Sequence, residues 1–136
     1  MTVPLDRPPA ASAGGDLLLL QHWEAFCGWF LLQTAKWPKS ARFTLTQRLE
    51  NHALDVIELL VEARYEPRQR PGLLRSINLR LERIRFLCRL AKAGQLATPA
   101  AFERANRDLD TCGRMLHGWR VAIGERRETR REEASA

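Results

Sequence analysis

An all-α fold of four antiparallel helices, arranged up-down-up-down, is predicted by three observations. Apolar residues recur at spacings of three and four through most of the chain. The breaks between these periodic stretches are short and contain Pro, Gly or Ser. No stretch alternates with the period of two that a half-buried strand requires. Helices joined by short loops lie antiparallel to their neighbours, which gives the bundle its topology. At 136 residues and 15.6 kDa the chain is a single domain, long enough to bury a core without disulfide or metal staples.

Each element follows from local residues. Residues 1–15 are rich in Pro, Ala, Ser and Gly and are expected to be disordered. A first helix is expected over 16–36, with Asp16 as its N-cap and Leu20, Trp23, Phe26, Cys27, Phe30, Leu31 and Trp37 as its apolar residues. "WPKS" interrupts it: Pro38 biases Trp37 away from helical geometry, and Ser40 can cap a second helix over 41–65. On that helix Leu45, Leu49, Val56, Leu60 and Ala63 form one seam, and Leu54, Ile57 and Val61 form a second row beside it. A helix at the edge of a monomeric bundle needs one such stripe, so the second row predicts an interface with another copy of the chain. After "EPRQRPG", residues 71–93 carry Leu74, Ile77, Leu81, Ile84, Cys88 and Ala91 in a heptad seam, and Gly94 is the expected stop. The fourth helix begins with Thr98 as cap, Pro99 at the first helical position and Glu103 in a capping-box-like role. Phe102, Ala105, Leu109, Cys112, Leu116, Trp119 and Ile123 then run at threes and fours to Gly124. Residues 125–136 mix charges of both signs and are expected to be a frayed tail, which leaves 16–124 as the folded domain.

Charge is distributed unevenly over this framework. Between Arg64 and Lys92 nine Lys or Arg face only Glu66 and Glu82, whereas the rest of the chain has thirteen bases and fourteen acids. The whole excess of +6 is therefore carried by one loop and one helix. Such clustering is the electrostatic footprint of a phosphate-backbone binder. It makes Arg75, Arg80, Arg83, Arg85, Arg89 and Lys92 the candidate nucleic-acid contacts, with Arg68 and Arg70 of the preceding loop as secondary ones. A solvated face whose arginines pair with acids of neighbouring helices has the same composition. A module that binds an acidic protein through this helix, with no nucleic-acid role, is the alternative function.

Catalytic and metal-binding patterns are not found. His22, His52 and His117 fall on three different helices, with no His/Glu pair at ligand spacing. The chain contains no glycine-rich phosphate loop, no nucleophile elbow and no acidic pair placed for acid/base work. No enzyme activity, metal or cofactor is expected. Glu50, Asp55, Glu58 and Glu62 read as a solvated face or as partners for Arg of the third helix, and Trp23, Trp29, Trp37 and Trp119 as core or interface residues. Cys27, Cys88 and Cys112 sit among apolar neighbours without a CxxC pattern; buried free thiols are expected, a reactive thiol or a disulfide being the alternatives. No apolar run reaches the length of a membrane span, and "MTVPLDRPPAASAGGD" lacks the pattern of a secretory signal, so a cytoplasmic protein is expected.

Three strings carry a family likeness: "KWPKSARFTLTQRLENHALDVIELLVEARY", "LLRSINLRLERIRFLCRLAKAGQLAT" and "FERANRDLDTCGRMLHGWR". Together they resemble the accessory variability determinant (Avd) proteins of diversity-generating retroelements over roughly residues 16–124. A more distant similarity is to the bundle proteins encoded in intervening sequences of 23S ribosomal RNA, which share the Pro-then-Arg-Phe approach to the second helix. The resemblance implies a homopentameric barrel of four-helix bundles with a basic surface that binds nucleic acid. It also implies association with the element's reverse transcriptase and its template-repeat RNA or cDNA, in support of mutagenic cDNA synthesis, without catalysis by the protein itself.

Overall fold

A computed structural model describes residues 13–135, and these residues form helices and short connections with no strand. The helices are α1 (Ala13–Thr34), α2 (Gln47–Tyr65), α3 (Arg70–Ala93) and α4 (Pro99–Ser135). A 3-10 turn, Lys39–Ala41, and a π-turn, Arg42–Thr46, lead into α2. Each helix packs against the next, and α4 closes back onto α1. The order around the bundle is thus the order in the chain, and the molecule is an up-down-up-down four-helix bundle.

The core is built from the heptad seams. Leu49, Ala53, Val56, Leu60 and Ala63 of α2 face Leu74, Ile77, Leu81, Ile84, Cys88 and Ala91 of α3, all buried. Phe102, Ala105, Leu109, Cys112, Leu116 and Trp119 of α4 complete it with Leu19, Trp23, Phe26, Cys27 and Phe30 of α1. Aromatic rings run along α1 from Trp23 through Phe26 and Phe30 to Trp37, which meets Phe102 of α4 with ring centroids 6.1 Å apart. The register of α1 on α2 is fixed by a directed bond, Trp23 Nε1 donating to the Ala53 carbonyl at 2.9 Å. Loss of such a bond leaves a buried indole N–H without a partner, so the tryptophan specifies position as well as filling volume.

Helix ends depart from the expected pattern in instructive ways. α1 begins at Ala13, so Gly14 and Gly15 are helical; residues 1–12, where most of the expected disordered segment falls, lie outside the described residues. Asp16 is not an N-cap. It lies in the first turn, fully buried, with its carboxylate 3.0 Å from Arg64 Nε of α2. Ser40 does not cap α2 either: the chain reaches that helix through Lys39–Ala41 and the π-turn, and neither start has a side-chain cap. Thr98 does cap α4, its hydroxyl accepting from the Ala101 N–H at 3.2 Å.

At the end of α3 the left-handed residue is Gln95 (φ 56°), while Gly94 stays right-handed. Gln95 N–H bonds to Lys92 O and Leu96 N–H to Ala91 O, the paired bonds of a Schellman stop, and Leu96 packs against the core. The largest departure is α4, which does not end at Gly124 but continues to Ser135, 37 residues in all. Arg and Glu dominate residues 125–135 and are strong helix formers, so one glycine costing about 1 kcal/mol does not stop propagation.

Candidate nucleic-acid interface

The seam of α3 faces inward, so successive arginines of the helix point to different sides. Arg80 turns toward α2, where one guanidinium nitrogen lies 2.9 Å from Asp55 Oδ2 and 3.0 Å from His52 Nδ1. Arg85 turns toward α4, bonding Asp110 at 2.6 Å and approaching the Leu109 carbonyl and Glu82. Gly113 leaves room for this approach: a Cβ there would stand 3.0 Å from the Arg85 guanidinium, which would have to give way by a few tenths of an ångström. Arg75, Arg83, Arg89 and Lys92 of the same helix are exposed and carry no ion pair among the described residues.

The eight basic candidates therefore divide. Arg75, Arg83, Arg89 and Lys92 present unpaired charge to solvent. Arg80 and Arg85 are half-buried ties between helices whose charge is largely met by Asp55 and Asp110. Arg70 is removed from the surface set altogether, because it is only 5% exposed. Its guanidinium donates to the carbonyls of Ala63 and Arg64, closing the last turn of α2, and lies over the Trp119 ring. Arg68 is exposed in the turn before α3.

An apolar row runs through the same surface. Leu79, Phe86 and Leu90 are exposed on the outer side of α3, Phe86 by 59%, and Arg89 lies 4.4 Å from the centre of the Phe86 ring. With Arg83 these residues repeat at four, three and four, a second heptad row opposite the seam. That signal is present in the spacing but is hidden when the helix is read for charge. Phe43, 78% exposed in the π-turn, is a further apolar side chain the periodicity does not mark.

On α2 the second row is open to solvent in the single chain. Leu54 is 42% and Val61 39% exposed, and Ile57 is half-buried against the core. Burial first, then the charges of Arg80, Arg83 and Arg48, hold His52 below the usual imidazole value, with Asp55 opposing them. Burial raises all three thiols to about 12, the neighbouring Cys112 adding to the effect on Cys27 and Asp108 to that on Cys112. Among the described residues the three cysteines are free, no group of three or more His, Cys, Asp or Glu could hold a metal, and no helix is long and apolar enough to cross a membrane.

The fold and the site together define an all-helical four-helix bundle with exposed, unpaired basic side chains along its third helix. Residues 17–123 match a family model described as bAvd-like, and the chain belongs to that family. The match bears out the resemblance drawn over residues 16–124, and the family is of an accessory, non-catalytic kind. No match among curated proteins accompanies it.

Proposed function

We propose that this protein is a non-catalytic accessory factor of a diversity-generating retroelement. In this reading it binds RNA or cDNA through the outer face of α3 and associates with the element's reverse transcriptase. The observation that carries the nucleic-acid part is the set Arg75, Arg83, Arg89 and Lys92, exposed on one helix without carboxylate partners. Arginine forks grip phosphate oxygens, and exposed Phe86 beside Arg89 offers a surface on which a base can stack. Recognition of this kind follows the backbone and is weakly sequence-specific. Membership of the bAvd-like family supports the retroelement setting.

Leu54, Ile57 and Val61 are the proposed contact between subunits of a homo-oligomer, a pentamer on the family resemblance. A ring would repeat the basic face and convert weak contacts into tight binding through effective concentration. Light scattering after size-exclusion chromatography tests both parts, using nuclease-treated protein with and without a structured RNA at low and moderate salt. A mass near five subunits that rises with RNA, and rises less in salt, is expected; a monomer indifferent to RNA overturns the reading. Exposed Leu79 and Leu90 favour a second reading, in which the same face docks a protein. Partner capture that survives nuclease treatment, together with no affinity for purified RNA, would select it.

A further inference from the structure

The overhanging end of α4 creates a second basic feature, separate from the outer face of α3. Arg126, Arg127 and Arg130 stand beside the turn between α2 and α3, and with Pro67, Arg68, Arg70, Pro71 and Ile123 they line a partly open cavity of about 240 Å³. The three lie beyond residue 123, where the family match ends. Among the described residues, none of those lining the cavity carries a carboxylate. Arg70 at its base is already engaged with backbone carbonyls; burial lowers its pKa, and the charge of Arg126 lowers it further against the opposing effect of Asp16. Several like charges are thus held together around one space, and the first turn of α3 adds its positive backbone end to it.

We infer that this cavity is a binding site for a compact polyphosphate, such as the triphosphate of a nucleotide or of an RNA 5′ end. Charge and size select that chemistry. One phosphate group carries at most about two negative charges, half of what Arg68, Arg126, Arg127 and Arg130 would neutralise. A chain of two or three phosphates offsets all four. The volume equals roughly eight waters at about 30 Å³ each, more than one phosphate fills. Planar guanidinium forks on two sides of the cavity can each take a pair of phosphate oxygens.

The site is tested with the full-length protein by titration calorimetry against inorganic triphosphate, ATP and sulfate. Matched RNAs with a 5′-triphosphate or a 5′-hydroxyl complete the set. Inorganic triphosphate should bind about tenfold more tightly than sulfate, and Arg126→Gln with Arg130→Gln should abolish that difference. These residues project from the bundle, so the helical circular dichroism and the affinity for 5′-hydroxyl RNA should be unchanged. An advantage of 5′-triphosphate over 5′-hydroxyl RNA identifies the RNA end as the source of the phosphates. Equal RNA affinities with retained triphosphate and ATP binding identify a free nucleotide. Triphosphate binding no tighter than sulfate, or binding that the double substitution leaves intact, overturns the inference. Inorganic triphosphate has no strand to follow, so its result is independent of whether α3 binds nucleic acid.

Discussion

At the turn between α2 and α3, Arg64 and Arg70 lie inside the bundle; along the outer face of α3, Arg75, Arg83 and Arg89 lie outside it. The residue type is the same and the surroundings are opposite. Arg64 meets a fully buried carboxylate on α1, 48 positions earlier, and Arg70 closes the end of α2 through backbone carbonyls. The outer three meet water. The lesson is that a count of positive charge locates a basic segment without separating guanidinium groups that hold the fold from those free to hold a ligand. The distinction comes from acceptors supplied by other helices.

The comparison can be broken most directly at Arg64. Arg64→Ala leaves Asp16 buried and unpaired, and a loss of about 3–5 kcal/mol is expected in urea unfolding. Unfolding that matches the parent protein would show that the pair does not hold α1 to α2. Arg70→Ala removes the donors that close α2 and should cost about 2 kcal/mol by the same measurement. If it instead weakens RNA binding without a change in stability, the division between inner and outer arginines is wrong.

The outer set should behave in the reverse manner. Arg75→Ala, Arg83→Ala and Arg89→Ala together should leave the unfolding midpoint within about 0.5 kcal/mol of the parent. They should also lower the slope of log affinity against log salt by about 2 for single-stranded RNA. Arg85 is left out of this variant because Asp110 holds it. An unchanged salt slope would remove these residues from the interface.

The intermediate arginines give the smallest effects. Arg80→Ala loses a half-exposed pair with Asp55, worth about 0.5 kcal/mol. Its more specific signature lies in pH. His52 titrates below its unfolded value, so the folded state binds fewer protons than the unfolded chain as pH falls below about 6.5. Stability attributable to His52 is complete above that pH and declines as pH falls through the folded pKa. Removing Arg80 removes one of the charges that depress it, so the His52 NMR titration should move upward. A shift in the other direction would mean that Asp55, once released, does not govern the ring.

The periodic core was legible because a seam at threes and fours constrains every turn of a helix. Leu74, Ile77, Leu81, Ile84, Cys88 and Ala91 are all buried as their spacing requires. The Thr98 cap was legible for a related reason, since its acceptor and donor are three residues apart. Asp16 and Arg70 were not, because their partners lie far along the chain or on the backbone. Gln95 was hidden because a left-handed stop is ordinarily marked by the adjacent glycine. The continuation of α4 was not legible because its mixed Arg and Glu describe a frayed tail and a surface helix equally well. Within the candidate interface, which bases are α3 residues could be read directly except for Arg70, which was expected in the loop and opens the helix. Which of those remain unpaired depended on Asp55 and Asp110 of other helices.

Cys27, Cys88 and Cys112 have one more use. Each thiol is buried in the core with its pKa near 12, so at pH 8 only about one in ten thousand would be thiolate even with solvent access. Alkylation must wait for the bundle to open. The chain therefore carries its own clock for unfolding, with one hand on α1, one on α3 and one on α4. Mass spectrometry of the three labelled positions over time would report whether the helices part together or one after another.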